Sequence, residues 1–427
     1  MNDTVPASEY CDRIFDGTHE TPKPSEHGRP LVTSKNIVGG TLDKTTTYNI
    51  SEEDYQDIQR RSYVSQWDIL FSMIGSVGEV YIERSPEIDY AVKNVGVFSC
   101  LDESRAMWLY YYLKSGTAQK IIRNQLNGAV QKFLSLGTLR RFPVPPYDPS
   151  KKPAIHLLSA LDAKIALNQR LNAELEGMAK LLYDYWFVQY DFPLSPAQAA
   201  ALRKPHLTGQ PYRTSGGPMV YHDQLKREIP VGWEVGSLEQ LGSITGGSTP
   251  STKESAYFTP EGTPWITPKD LSRNTGNTFI TRGETDLTPE GVKAASLTVL
   301  PAGSVLMSSR APIGYTAINR IPVTTNQGFK SFIANKGYPT EFIYQTLNHL
   351  MGVIEQNASG STFMEVSAST LKTIQTELPD APTLAAYQST VAPVFRQQDT
   401  LEQQSHHLTQ LRDWLLPILM NGQVRVE

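Results

Sequence analysis

The sequence predicts an α+β protein: two tandem mixed α/β domains separated by two long helices that form an antiparallel coiled coil. Three observations predict it. A length of 427 residues holds two or three domains at about 100–200 residues each. A collinear internal repeat is present, and each copy is followed by a long amphipathic stretch.

Composition bounds the class. Hydrophobic residues are 39% and charged residues 19%, enough to bury real cores and too apolar for broad disorder. No apolar run reaches the roughly 18 residues of a membrane span. The polar, acidic start MNDTVPASEYCDRIFDG predicts no secretory signal and a cytoplasmic protein. Cys11 and Cys100 are too few for a disulfide framework or a zinc ribbon and are expected to be reduced thiols. Net charge is −4, divided as −3 over residues 1–150, +3 over 151–230, −3 over 231–380 and −1 over 381–427. No segment is strongly basic, so any nucleic-acid contact must come from local loops or from a basic partner.

The repeat outranks any single motif. Gly28-Arg29-Pro30-Leu31-Val32-Thr33-Ser34-Lys35-Asn36-Ile37 matches Gly262-Thr263-Pro264-Trp265-Ile266-Thr267-Pro268-Lys269-Asp270-Leu271 at an offset of 234. Leu70-Phe71-Ser72 and Gly78 match Leu306-Met307-Ser308 and Gly314 at an offset of 236. Asn94-Val95-Gly96 matches Asn326-Gln327-Gly328 at 232, as do Gly128, Ser135, Leu139 and Phe142 with Gly360, Ser367, Leu371 and Ile374. Four matches in register indicate a duplicated module of about 150 residues. The expected divisions are a first module over 1–150, a helix over 151–190, a linker over 191–228, a second module over 229–380 and a second helix over 381–427.

Within the modules, strands are expected over Gly28–Ile37, Asp68–Ile82, Trp265–Leu271, Ser304–Met307 and Ser331–Ile333. Short helices are expected over Arg105–Ser115 and Thr340–Met351. The first long helix should run from about Ile155 to Trp186, with Leu161, Asn168, Leu171, Leu175, Met178, Leu182 and Tyr185 as its a/d seam. About 32 residues span close to 48 Å, too long for one small core. Its partner should run from about Pro393 to Leu416, because proline fits best near a helix start. Asn168 and Gln398 fall at equivalent seam positions, where polar residues fix register. Leu194–Pro230, rich in Pro, Gly and Ala, is expected to be a linker with a short helix at Pro196–Arg203.

Catalytic signatures are absent. There is no phosphate-binding G-x-x-x-x-G-K-[ST] loop, no G-x-G-x-x-G after a strand and no H-E-x-x-H. His406 and His407 are adjacent on a helix, so their rings diverge. Val144-Pro145-Pro146-Tyr147 has a valine where an adenine methyltransferase needs a polar acceptor, and is better taken as the proline turn that ends a module.

Leu181-Leu182-Tyr183-Asp184-Tyr185-Trp186-Phe187-Val188-Gln189-Tyr190-Asp191-Phe192-Pro193 resembles the central region of type I restriction–modification specificity subunits. Lys226-Arg227-Glu228-Ile229-Pro230-Val231-Gly232-Trp233-Glu234 resembles the entry to that family's second target-recognition domain, and no such entry precedes the first module. Gly246-Gly247-Ser248-Thr249-Pro250-Ser251 and its first-module counterpart Asp16-Gly17-Thr18-His19-Glu20-Thr21-Pro22 agree. Leu415-Leu416-Pro417-Ile418-Leu419-Met420-Asn421-Gly422 resembles the family's C-terminal end. The resemblance implies a non-catalytic subunit in which each domain reads half of a bipartite, asymmetric site in double-stranded DNA. It also implies docking to two adenine-N6 DNA methyltransferase subunits and two translocase–nuclease (restriction) subunits. No cofactor is expected on this chain; S-adenosylmethionine, ATP and magnesium belong to those partners. The alternative is a self-contained restriction or modification enzyme with an unrecognised site.

Sequence is read by polar side chains that reach base edges from loops or helix ends. The matched loops offer Lys35 and Asn36 with Lys269, Ser72 with Ser308, Ser309 and Arg310, and Asn94 with Asn326 and Gln327. Matched positions suit shared phosphate or fold contacts. The unmatched Arg60, Arg61, Arg273 and Asn274 are expected to be the base readers.

Overall fold

The computed structural model describes residues 4–126, 132–310, 312–360, 364–420 and 423–424. Gly128 of the repeat, Ala311 of the second-module loop, and Asn421 and Gly422 of the C-terminal motif lie outside them. The chain divides into two compact units. One comprises residues up to Lys164 together with those from His407; the other is Ile165–His406.

The first unit holds an antiparallel sheet of Arg13–Asp16, Val95–Ser99, Ile69–Ser72 and Val80–Ile82, in that order. A smaller sheet sets Arg29–Thr33 antiparallel to Tyr48–Ile50 and parallel to Ala91–Lys93. Val5–Pro6 pairs with Pro143–Val144 and closes the module at its two ends. This short pairing is the first-module entry that has no Ile-Pro-x-Gly-Trp signature.

The second unit repeats that order. Ser243–Gly246, Lys330–Ile333, Val305–Ser309 and Ile313–Asn319 form the antiparallel sheet, with Phe279–Ile280 added parallel at one edge. Thr263–Ile266 lies antiparallel to Thr285–Leu287 and parallel to Thr324–Thr325. Glu234–Ser237 and Gln375–Leu378 close it.

The matched sequence positions carry matched structural jobs. Gly78 and Gly314 have φ of 101° and 99°, the left-handed region where a side chain is strained. A Cβ on either would press on the first turn of a following helix, at Gln119 or Met351. Ser135 and Ser367 cap equivalent short helices, accepting from Thr138 N at 3.2 Å and Thr370 N at 3.0 Å. The helices expected over Arg105–Ser115 and Thr340–Met351 run Glu103–Lys114 and Thr340–His349.

Several expectations need correction. Trp265–Leu271 is not one strand: Thr263–Ile266 gives way to a helix over Pro268–Arg273. Thr267 and Asp270 form a capping box and Pro268 supplies a helix-compatible φ, which together turn the chain. Thr33 and Asn36 do the same in the first module. Asp68–Ile82 is likewise two strands joined by a turn.

The second long helix runs Ala381–Met420, so Pro393 lies inside it. Pro393 and Ser389, whose carbonyl it leaves unpaired, are both exposed, and water can satisfy that carbonyl. Buried Tyr387, Val391, Val394 and Phe395 hold the helix through the break.

The first long helix runs Lys152–Tyr183 and ends in a wider turn over Asp184–Val188. Its buried face is Ile155, Leu158, Leu161, Ile165, Asn168, Asn172, Ala179 and Tyr183, while Leu171, Met178 and Tyr185 of the expected seam are exposed. The module core selects the face: Tyr183 packs its ring 6.0 Å from Phe342 and donates to Thr346 Oγ1 at 3.1 Å.

In the second unit the two helices run antiparallel, with Asn168 Nδ2 donating to Gln404 Oε1 at 3.2 Å and Asn172 Nδ2 to Glu402 Oε1 at 3.4 Å. Gln398 instead donates to Thr278 Oγ1 at 3.2 Å. In the first unit Arg412 meets Asp162 at 2.9 Å, and Tyr111 donates to the same carboxylate at 2.9 Å.

The stretch expected to be a linker is packed. Phe192, Leu194 and Tyr212 are buried, with Phe192 stacked 4.6 Å from Tyr212 and 5.4 Å from Trp233. Its helix, Pro196–Ala201, starts from a Ser195–Gln198 capping box.

Glu402 fastens the added strand to the second long helix. Its carboxylate accepts from Thr278 N at 2.6 Å, Phe279 N at 3.1 Å and Arg320 at 2.7 Å. Burial raises its pKa more than these donors lower it. Its stabilising contribution is therefore complete below the ordinary carboxylate value and declines as pH rises through the raised one. Glu402→Ala removes an acceptor from Thr278 N, Phe279 N, Asn172 Nδ2 and Arg320, the last two keeping Gly276 O and Asp399 as partners. It should cost about 1–3 kcal/mol, measured by urea denaturation of the intact chain at mildly acidic pH, where the contribution is complete. A loss under about 1 kcal/mol, within the range of an exposed pair, would contradict this anchoring role.

Candidate functional site

In each module a glycine-containing loop leaves the outer strand of the main sheet and lies on the end of the parallel strand. Gly17 and Gly247 make this close approach possible. A Cβ on Gly17 would stand 2.3 Å from Val92 O, and one on Gly247 would stand 2.1 Å from Thr325 O. The next residue donates its N–H to that same carbonyl, Thr18 to Val92 and Ser248 to Thr325, both at 3.0 Å. The third residue then meets an amide side chain. His19 Nδ1 lies 2.8 Å from Asn94 Oδ1, and Thr249 Oγ1 donates to Gln327 Oε1. This geometry aligns Asn94 with Gln327, one residue beyond its sequence match, Asn326. Asn326 instead accepts from Gly328 N at 2.9 Å.

Around each loop pair the structure gathers part of the expected set. In the first module Ser34 Oγ donates to Asn94 O at 2.9 Å and accepts from Met73 N at 3.2 Å. The turn bearing exposed Lys35, the strand end after Ser72 and Asn94 therefore converge on one hydroxyl. Asn94 has φ of 52°, a conformation that asparagine tolerates better than most residues. Arg60 and Arg61 line a shallow groove with Thr18, Glu20, Asp54 and Asp57, and Arg60 pairs with Asp57 at 3.1 Å.

In the second module Gly328 packs against Asn326, Pro268 and Arg310. Arg310 and Lys330 share Glu365, at 3.7 and 3.3 Å. Lys269 and Arg273 share the exposed Glu284 at 2.7 and 3.2 Å, and the Lys269 hydrogen bond chiefly holds that carboxyl below its usual range. A polyanion arriving here competes with two glutamates for four cations.

Other expected residues stand apart. Asn36 is buried, accepts from Thr33 N at 2.9 Å and donates to Thr46 at 3.0 Å. Ser72 and Ser309 are also fully buried, and so is Ser308, which accepts from Tyr315 N at 2.9 Å. Asn274 turns inward, donating to Phe279 O at 3.1 Å, and lines a 540 Å³ cavity with Lys180, Tyr315 and His349.

His19, Thr249, Lys330 and Glu365 complete the loop clusters without a sequence signal of their own. The two glycine loops are legible as counterparts, but only the fold places their third residue against residue 94 or 327.

Two copies of one α/β module, each presenting a clamped pair of polar loops beside exposed cations, define a duplicated loop-bearing protein. The model of the type I restriction modification DNA specificity domain matches residues 29–177 and 230–408, and the chain belongs to that family. It is 42% identical over 154 residues to the type I restriction enzyme MjaIX specificity subunit of Methanocaldococcus jannaschii, covering 36% of this chain and 35% of that one. It is 27% identical over 307 residues to the HindI specificity subunit of Haemophilus influenzae, covering 63% of this chain and 66% of that one. The chain thus spans about a third to two thirds of these relatives' length. The crystal structure of a type I restriction–modification S subunit from M. genitalium has the same fold, with a TM-score of 0.56 at 14% identity, covering 98% of this chain and 95% of that one.

The loop geometry has a direct test. Gly247→Ala places a methyl group against a carbonyl and should cost about 1–3 kcal/mol. The Ser248 amide should exchange with solvent faster in the variant than in the parent. Unchanged exchange at Ser248 would show that the loop does not depend on this approach.

Proposed function

We propose that the chain is the non-catalytic DNA-specificity subunit of a type I restriction–modification complex. Each module reads one half of a bipartite, asymmetric site, and the chain docks adenine-N6 methyltransferase and translocase–nuclease subunits. S-adenosylmethionine, ATP and magnesium act on those partners. The observation that carries the reading is the duplication of a whole site: the same glycine approach, backbone bond and side-chain clamp recur in both modules with different side chains. That is what reading two different sequences with one scaffold requires. Loops set on rigid strands hold polar groups at the precision that base edges demand.

The exposed face of the first long helix suits partner docking. Leu167, Leu171, Met178, Leu181 and Tyr185 are exposed at helical spacing, with Leu181 at 69%. A stripe of this kind on a helix is an expected contact for a partner's amphipathic helix.

Two experiments test the proposal. Residues 234–378 begin and end on paired strands, Glu234 opposite Leu378, so a relative's domain can replace them provided it keeps the ring at Phe342 that packs on Phe187 and Tyr387. The replacement should change one half of the methylated motif in the host genome and leave the other intact; a change in both halves would contradict independent reading. The double variant Met178→Glu, Leu181→Glu alters only exposed positions and should leave the melting temperature within about 2 °C while reducing co-purification of methyltransferase subunits at least about tenfold, the effect of 1.4 kcal/mol. Undiminished recovery would place docking elsewhere.

A further inference from the structure

The two loop clamps differ in a way that bears on which groups read bases. In the first module a long side chain, His19, meets a short amide, Asn94. In the second a short one, Thr249, meets a long amide, Gln327. The contact is kept while the amide head moves by one methylene from its own backbone toward the glycine loop. A purely structural contact gains nothing from such an exchange. A reading group does, because the head then addresses a different point in the groove.

In both clamps the carbonyl oxygen of the amide is the anchored end. His19 is itself held, with Nε2 3.1 Å from the Asp16 carboxylate, and its side chain is 70% exposed; the two contacts together require hydrogen on both ring nitrogens. Gln327 and Thr249 are exposed. An amide fixed through one oxygen lone pair keeps a second lone pair and an NH2 group. That acceptor–donor pair matches the N6–H2 donor and N7 acceptor which adenine shows in the major groove. Clamping the amide before binding also removes rotamer entropy that a free Asn or Gln would lose on contact. Lys330 is largely buried against Glu365, so the accessible neighbouring cations are Lys35 and Arg61 in one module and the half-buried Arg310 in the other. They suit phosphates, which are the same in every sequence.

We infer that Asn94 and Gln327 are specificity-determining residues, each reading one adenine through its major-groove edge in its own half of the site, with His19 and Thr249 as positioning residues. This rests on the proposed function.

The test uses the complex purified from its host through the full-length chain, with bound duplexes selected from a randomised pool and sequenced. Asn94→Asp keeps the shape, tolerates the same backbone conformation and can still accept from His19, but has no N–H for N7. It should abolish the preference for adenine, about 5- to 150-fold, at one position of one half-site only. Gln327→Glu should do so at one position of the other half. Placing 7-deazaadenine at the position affected by Asn94→Asp should weaken binding of the parent complex and leave the variant unaffected. His19→Ala should lower the discrimination at the Asn94 position without moving it. If the parent enriches a bipartite motif and both amide variants enrich it unchanged, the inference fails while the proposed function stands. Loss of affinity spread evenly over all sequences would make these residues backbone contacts or fold supports and also overturn it. If the parent enriches no sequence at all, the proposed function fails, and this inference with it.

Discussion

The second unit depends on an aromatic joint centred on Phe187. Its ring lies 4.8 Å from Tyr387, 4.9 Å from Phe342 and 5.8 Å from Trp233. These rings belong to the end of the first long helix, the start of the second, a module helix and the module's entry. Each edge-to-face or tilted pair adds about 0.5–1.5 kcal/mol beyond the area it buries. The aromatic run from Tyr183 to Phe192 is therefore a packing requirement: four elements distant in sequence must meet at one point. Tyr190 extends the joint with a ring 5.6 Å from Trp233 and a φ of 62°, a strained conformation for a bulky residue that packing must hold in place.

The first unit solves the same problem with the opposite helix ends. Ile155 and Leu158 from the start of the first long helix join Leu416, Leu419 and Met420 from the end of the second in a core with Trp108 and Tyr111. Each module core thus takes in one end of each long helix. This sharing selects which helical face is buried, and it leaves Leu171, Met178 and Tyr185 outside although their spacing suits a seam.

Polar residues divide by burial more than by type. Asn36 and Asp270 occupy matched positions and both close capping boxes, so their shared identity as small polar residues serves the turn. Gln327 sits at a loop end with the fold anchored elsewhere, whereas Asn94 also fills a left-handed backbone position and accepts from Ser34 through its carbonyl. Matched polar residues in a duplicated sequence therefore need separating into those whose backbone demands them and those whose backbone merely carries them.

The sequence by itself determined the duplication and the order of modules and helices, and its matched glycines and serines marked positions where the fold builds its turns and caps. These rest on local rules: a positive φ, an N-cap or a proline acts within a few residues and leaves a visible pattern. Heptad spacing located the first long helix, but the buried face, the passage of the second helix through Pro393 and the packed state of Leu194–Pro230 were decided only in the tertiary structure. Each depends on which surface arrives from a distant part of the chain. The same holds for the site. Loop residues could be named from the repeat, whereas the pairing of His19 with Asn94 and of Thr249 with Gln327 arises only when a strand 75 or 78 residues further along the chain brings its end beneath the glycine loop.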